Sequence, residues 1–324
     1  GSMASAISEN AKDRQELSSW RTIGATLANM VIGVVLPMFV YYEDAAGNTV
    51  LSGNNMAIAG VICSICAVIC YLLCYNLTTE RVKIEKETEK FNLIHLVKYL
   101  VSNRALIGII VAAIMLLLSQ LTLSGMGQYI YPNYFGSKEA LSTANMITAV
   151  LTIILAFVLP SFVDKVGKKE LAIFGGVIGS IALIAAFFVH TDNLAVWIGF
   201  YAVAYFGIAF FNVVCWAMIT DVIDDAEVRT GKRSDGTIYA VYSFARKLGQ
   251  AASSGLTGGL LTLIGYSKET AFDPDVVNGI YNITCIVPAA GFILLSLALA
   301  FIYPLNRKKV AQNVEYLKKK RGEL

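Results

Sequence analysis

The sequence predicts an all-α polytopic membrane protein with about eight transmembrane helices. Hydrophobic residues make up 56% of the 324 residues and charged residues only 15%, whereas an ordinary soluble domain carries about a quarter charged residues. The apolar runs are continuous, unlike the alternating pattern of transmembrane strands, and about 20 such residues span a bilayer core about 30 Å thick. The windows that meet this length are 20–42, 55–76, 105–130, 142–163, 171–190, 194–220, 238–265 and 280–303.

Basic residues concentrate in every second connection between these windows. Short cytoplasmic loops of membrane proteins are enriched in lysine and arginine. In the alternate connections the only lysine or arginine residues are Lys138 and Lys268. The sequence therefore predicts a multi-pass protein of the cell (inner) membrane with both termini in the cytoplasm. The basic side would comprise the N-terminal stretch, the connections 77–104, 164–169 and 229–233, and the tail from Arg307.

The long connection 77–104 divides the predicted helices into a group of two and a group of six. Six helices are what one half of a twelve-helix transporter supplies, because such transporters are built from two related six-helix bundles. We therefore predict four parts. They are 1–76, a two-helix remnant of an N-terminal bundle; 77–104, a cytoplasmic inter-bundle loop; 105–306, a C-terminal six-helix bundle; and 307–324, a cytoplasmic tail.

Short loops between apolar helices leave no room for a soluble catalytic domain. Nothing in the sequence resembles a phosphate-binding loop, a zinc-ligand cluster or a nucleophile–base pair. The two histidines, His95 and His190, are far apart and on opposite predicted sides of the membrane. The sequence therefore predicts that the protein is not an enzyme and uses no metal site, cofactor or nucleic-acid partner.

Pairs of small residues four positions apart recur in the apolar windows. Such pairs let two helix backbones approach closely within a membrane. We predict that these positions pack against other helices, and that the glycines near residue 255 also let their helix flex. The pairs are Gly175 with Gly179, Gly249 with Ser253, and Gly255 with Gly259.

Lys247 lies inside the window 238–265. An ammonium within a membrane span is costly unless it is paired or hydrated, so this lysine is expected to face a wet cavity. The alternative is that Lys247 and its neighbour Arg246 lie near the cytoplasmic end and extend to the interface as an anchor. Tyr242 and Ser243 precede Lys247 by about one turn, and their hydroxyls suit a sugar or a cation shell.

The window 194–220 holds one polar residue in its apolar stretch and is followed by a cluster of charges. Asn212 is suited to hydrogen-bond a hydroxylated solute. The charges predict a cytoplasmic gate in which the acids pair with the basic loop that follows; the alternatives are direct coordination of a coupling cation by Asp221, or simple interfacial charge. The basic turn 163–169 adds Asp164 and Lys168 to this gate. Its other predicted members are Asp221, Asp224, Asp225, Glu227, Arg229 and Arg233.

Three segments carry a family resemblance. The turn 163–169 is similar to the Asp-x-x-Gly-Arg/Lys-Arg/Lys loop of the major facilitator superfamily. Residues 221–236, followed by Phe244-Ala-Arg-Lys-Leu-Gly-Gln, resemble the Asp-x-x-Asp-Tyr-x-Glu, Thr-Gly-x-Arg and Lys-Leu-Gly segments of the glycoside–pentoside–hexuronide:cation symporter family, the melibiose-permease-like branch of that superfamily. Residues 2–21 are similar to the loop joining its fourth and fifth helices. The resemblance covers essentially the whole chain.

This resemblance implies that the helices correspond to helices five to twelve of a twelve-helix major facilitator fold, without the first four. It implies symport of a sugar or glycoside with a monovalent cation, Na⁺ or H⁺, by alternating access across the lipid bilayer. Arg21 matches a fifth-helix arginine near the sugar, and Lys247 matches an eleventh-helix lysine that tunes the cation site. With these matches, the predicted substrate-binding residues are Arg21, Asn212, Tyr242 and Ser243.

Two other functions remain open at this point. The chain could be a helix-bundle interaction protein that does not transport. It could also be a lipid or lysolipid carrier on the same fold, which would line its cavity with apolar side chains instead of groups that hydrogen-bond hydroxyls.

Overall fold

The computed structural model describes residues 11–43, 49–79, 103–231 and 235–321. Within these ranges the chain is almost entirely helical. The helices are α1 (Ala11–Val40), α2 (Gly53–Leu77), α3 (Arg104–Tyr129), α4 (Lys138–Val158), α5 (Pro160–Val166), α6 (Lys168–Val189), α7 (Leu194–Thr230), α8 (Asp235–Leu263), α9 (Pro274–Leu297) and α10 (Arg307–Arg321). A hairpin pairs β1 (Tyr41–Glu43) with β2 (Thr49–Leu51), and π-helical turns extend α3 through Ile130–Tyr134 and α9 through Ala298–Ile302.

Each of the eight predicted windows coincides with one or two of these helices. In α1 and α4 the apolar stretch is shorter than a full span, and α8 carries Arg246 and Lys247 in its interior. Several long apolar helices in one chain are the mark of an integral membrane protein. Five helical segments in the described ranges are long and apolar enough to cross a membrane: Gly53–Leu77, Arg104–Tyr134, Lys168–Val189, Leu194–Thr230 and Pro274–Ile302.

The described chain falls into two compact units, the first comprising the described parts of 1–91 with 137–149. In it the start of α4 is bonded to α1. The Asn145 amide donates to the Gly33 carbonyl at 2.7 Å, and the Ser142 hydroxyl donates to the Val34 carbonyl at 2.9 Å. A Cβ added at Gly33 would meet Asn145 at 3.4 Å. Glycine thus keeps this carbonyl accessible to the amide.

Helix α2 belongs to the same unit. Its first turn is capped by Ser52, whose side chain accepts a hydrogen bond from the Asn55 amide at 3.3 Å, as Ser commonly does at a helix start. Only 6% of its most apolar stretch is buried within the described chain. Nearly the whole surface of α2 is therefore open to lipid or to further helices.

The second unit comprises the described parts of 92–136 and 150–324. Helix α6 packs against α7 and α9, and α3 packs against α8 and α9. Lipid tails are as apolar as these side chains, so close packing holds such helices together more than removal from water does. Large side chains that are fully buried in this unit include Leu106, Ile109, Leu116, Leu123, Tyr201, Phe211 and Phe292.

Small residues bring α6 and α7 into backbone contact. A Cβ added at Gly175 would lie 2.6 Å from both the Gly207 carbonyl oxygen and the Phe210 Cβ. At Gly249 an added Cβ would lie 3.4 Å from the Ile114 Cα on α3. The predicted packing is thus confirmed at these glycines. For Gly255 and Gly259 it stays a prediction, since nothing in the described chain lies within 4 Å of a Cβ added at either glycine.

We expect Gly175→Ala to destabilise the protein by about 1–3 kcal/mol, the usual cost of forcing an extra group into a packed interior. The matched control is Gly255→Ala on α8, which adds the same methyl group where the described chain leaves open space. Thermal unfolding in detergent, followed by circular dichroism, measures both. A wild-type melting temperature for Gly175→Ala would contradict the close α6–α7 approach.

Candidate functional site

A buried ion pair joins α6 and α7 at one end of the second unit. The Lys168 ammonium lies 2.6 Å and 2.8 Å from the two carboxylate oxygens of Asp221. Asp221 is only 7% exposed, and the lysine side chain 26%. Two members of the predicted gate, 53 positions apart, therefore meet in space.

The turn before α6 places the lysine. Gly167 has a φ of 110°, a conformation that side-chain-bearing residues rarely adopt, and Lys168 follows as the first helical residue. A small cavity of about 240 Å³ lies beside the ion pair and is also lined by Leu305 and Val310. This end of the unit therefore combines a buried ion pair with an adjacent cavity.

Asp225, one turn further along α7, is bonded to the C-terminal helix α10. The Asn313 amide donates to its carboxylate at 3.0 Å, and the Arg229 guanidinium lies 3.8 Å away on the same helix. Both Asp225 and Asn313 are almost fully buried. The predicted tail 307–324 thus forms, as far as Arg321, a helix that packs on α7. Sequence reasoning missed Asn313, although Val310, Asn313 and Leu317 recur at helical spacing.

Three further basic side chains bind main-chain carbonyls at this end. Arg104 donates to the Phe301 carbonyl at 2.7 Å, Lys169 to the Tyr303 carbonyl at 2.8 Å, and Arg307 to the Lys165 carbonyl at 2.6 Å. Cations near helix C-termini are stabilised by the exposed carbonyl dipoles. The first two contacts join α3 and α6 to the end of α9, and the third joins α10 to α5.

The structure describes only some of the remaining predicted gate residues. Asp224 is half-buried and Glu227 is buried on α7. Arg233 lies outside the described residues, as does the side chain of Asp164. The sequence predicted that the acids pair with the loop after α7. Asp221 instead pairs with Lys168, which precedes α7 in the sequence.

Asn212 lies deeper in α7 and bonds to α3. Its side-chain amide donates to the Gln120 carbonyl oxygen at 3.3 Å. Polar side chains that hydrogen-bond across membrane helices provide a local polar patch in an apolar bundle. Gln120 was not among the predicted residues, although it is a lone amide in an otherwise apolar window.

An aromatic and cationic cluster lies one turn further along α7. The guanidinium carbon of Arg246 is 5.5 Å from the Trp216 ring centroid and 5.7 Å from that of Tyr242. The same guanidinium donates to the Tyr242 hydroxyl at 3.4 Å, and Tyr239 stacks on Trp216 at 6.3 Å. Trp216 is nonetheless 47% exposed. Arg246 is thus held by aromatic rings, which the alternative of an interfacial anchor does not require.

Ser243 and Lys247 lie on a different face of α8 from Tyr242. Both are exposed, whereas Tyr242 is fully buried. The Lys247 ammonium donates to the Gln250 side-chain oxygen at 3.0 Å. The predicted set is therefore divided between two neighbouring faces of one helix. Arg21 has a helical backbone in α1, and its side chain lies outside the described residues.

Comparison with known proteins adds to this geometry. Residues 1–307 match the family described as MFS/sugar transport protein. The chain is 29% identical to the uncharacterized symporter YjmB of Bacillus subtilis, over 99% of this chain and 68% of that protein. It is 28% identical to a putative sulfoquinovose importer of Salmonella typhimurium, over 99% and 67%. It is 26% identical to a glucuronide carrier protein homolog of Escherichia coli, over 97% and 67%.

The family match spans most of the chain, including α6 to α9 and their polar clusters. It confirms the resemblance to sugar symporters of the major facilitator superfamily. The long apolar helices and the paired polar residues between them are what a transporter of that kind requires. The chain therefore belongs to the MFS/sugar transport protein family of membrane transporters, which are not enzymes.

Proposed function

We propose that the protein carries out sugar–cation symport by alternating access and that α7 and α8 supply part of the sugar site. The observation that carries this proposal is the half-exposed Trp216 ring with Arg246 held against it. Sugar sites combine an aromatic face, on which a sugar ring lies, with a few fixed hydrogen-bond donors. The neighbouring Asn212–Gln120 pair extends the same face with amide groups.

Within the sugar class, we favour substrates that carry an acidic group. A fixed guanidinium binds carboxylates and sulfonates well because it presents several donors in one plane. Two of the related proteins are named for acidic sugars, a glucuronide and sulfoquinovose. Arg246 would bind the acidic group, while Asn212, one turn before Trp216 on α7, would bind hydroxyls.

We place the helices at positions five to twelve of a twelve-helix fold in the cell (inner) membrane, with both termini cytoplasmic. The chain spans about two thirds of the length of its relatives, the proportion that eight helices form of twelve. The coupling cation, Na⁺ or H⁺, would bind near Lys247, whose charge would tune that site. We propose the full transport activity for a protein that has all twelve helices of this fold.

We further propose that the charged end of α7 acts as the cytoplasmic gate. The Lys168–Asp221 and Asn313–Asp225 contacts hold α6 and α10 on α7. Asp164, Asp224, Glu227, Arg229 and Arg233 would complete the gate around them. Ion pairs of this kind suit a gate because they can be exchanged for water as one end of the bundle opens.

Uptake measurements in cells expressing the complete gene test the sugar site. We expect Trp216→Ala to raise KM about tenfold, because it removes the ring surface together with a cation–π contact worth about 0.5–2 kcal/mol. Trp216→Phe should retain most of the affinity. A matched control is Phe244→Ala, which removes an exposed aromatic ring from α8, two residues before Arg246. Unchanged KM in Trp216→Ala, or uptake of neutral glycosides in preference to glucuronides, would contradict the proposal.

A further inference from the structure

A basic cavity lies where α3 begins, α7 ends and α10 begins. Its volume is about 620 Å³. Four cationic side chains line it, and Asp225 is the one carboxylate among its lining residues. That carboxylate is already engaged by Asn313 and by Arg229. The cationic residues are Arg104, Arg229, Lys308 and Lys309.

Two of the four cationic side chains of the cavity are held by contacts within the protein. Arg104 is fixed at its rim by the 2.7 Å bond to the Phe301 carbonyl, and Arg229 is positioned by Asp225 on the next turn of its own helix. Clustered like charges on a concave surface produce a positive potential that concentrates anions. The exposed Lys308 and Lys309 lie on the first turn of α10 and complete this surface.

The cavity lies at the level where membrane-spanning segments end. Arg104 begins one such segment, and another ends at Ile302, two residues before Pro304 of the cavity wall. Phe301, whose carbonyl binds Arg104, is 71% exposed. An apolar side chain directed outwards beside a basic cavity matches a ligand that has both an acidic headgroup and hydrocarbon tails.

We propose that this cavity binds the phosphate-bearing headgroup of an anionic phospholipid, with the acyl chains running down past Phe301. Basic pockets between membrane helices bind such headgroups. A bound phosphate would join Arg104 of α3 and Arg229 of α7 to the lysines of α10. The lipid would thereby hold α10 over the end of α7, so that anionic lipid stabilises the contact between Asn313 and Asp225.

The test compares the full chain in nanodiscs of phosphatidylcholine alone with nanodiscs that also contain cardiolipin or phosphatidylglycerol. We expect anionic lipid to raise the melting temperature and to remain bound in native mass spectrometry. The double variant Lys308→Gln/Lys309→Gln should lose about 25-fold in affinity for the added lipid, since each lysine near the surface contributes about fivefold. The control Lys318→Gln/Lys320→Gln removes the same charge from the other end of α10 and should change the affinity little.

Two results would overturn the proposal. Equal losses in the two double variants would show that lipid is attracted by the charge of α10 as a whole and not by the cavity. Stabilisation by millimolar inorganic phosphate equal to that by the lipid would assign the site to a free anion. Both measurements are made without sugar, so their outcome is independent of the proposed transport function.

Discussion

Lys168→Met is expected to cause the largest loss of stability of any single change at the gate. It leaves the Asp221 carboxylate, only 7% exposed, without its ammonium. Removing one partner of a buried ion pair costs about 3–5 kcal/mol, and the partial exposure of Lys168 places this case near the lower limit. Asp221→Asn should cost less, because the lysine left behind can extend to water. Chemical unfolding in detergent measures both variants.

The double variant Lys168→Met/Asp221→Leu distinguishes the effect of the ion pair on stability from its effect on transport. Replacing a buried pair by apolar residues is often neutral for stability, so we expect near wild-type unfolding together with impaired uptake. The matched control is Lys319→Gln. Its ion pair with Glu315 is similarly short at 2.7 Å, but both side chains are exposed. The Lys319 hydrogen bond lowers the pKa of the Glu315 carboxyl. Loss of this exposed pair should nevertheless leave unfolding unchanged. Equal costs for the two lysines would show that the burial of Asp221 has no energetic consequence.

Lys247→Ala is expected to abolish most of the proposed cation-driven accumulation of sugar. The ammonium is exposed on α8 and bonded to the neutral Gln250 side chain, so its charge is available to act on the proposed cation site. Coupling between two ligands typically amounts to a factor of about 5–150 in affinity. The accumulation ratio should fall by a factor in that range, while sugar exchange without a gradient continues.

Active uptake and exchange in membrane vesicles, measured with and without a Na⁺ or H⁺ gradient, distinguish these outcomes. Lys247→Arg keeps the charge and should retain part of the coupling. Lys318→Ala removes a lysine from α10 that is exposed at the far end of that helix, and should leave the accumulation ratio unchanged. If Lys247→Ala accumulates sugar as the wild type does, the lysine has no part in coupling.

The helices could be predicted from the sequence because hydropathy depends on local composition. Each predicted window coincides with helical structure, and five segments of the described chain have the length and composition of membrane spans. The interruption at Pro160, which starts α5, follows from the preference of proline for the first helical position. The structure of the tail was harder to predict from the sequence. Its helix α10 is polar overall, and its burial depends on only a few residues such as Leu317 and Asn313.

The partners in the candidate site could be predicted only in part. Asp221 and Lys168 were both expected at the gate, but a contact between residues 53 positions apart depends on how α6 and α7 pack and leaves no trace in local sequence. Arg246 was assigned with Lys247 as one pair of charges. A rotation of about 100° per residue along a helix directs these neighbours to different faces, so that only Arg246 reaches Trp216.

The glycine contact between α6 and α7 limits how this protein can change shape. With the Gly175 and Gly207 backbones touching, neither helix can slide along the other before a larger side chain collides with main chain. We therefore expect α6 and α7 to move together as one rigid body. Helix α8 is under no such restraint near Gly255, Gly258 and Gly259, where the described chain leaves the helix surface open. We expect α8, the helix that carries Arg246 and Lys247, to be the easier of these helices to bend.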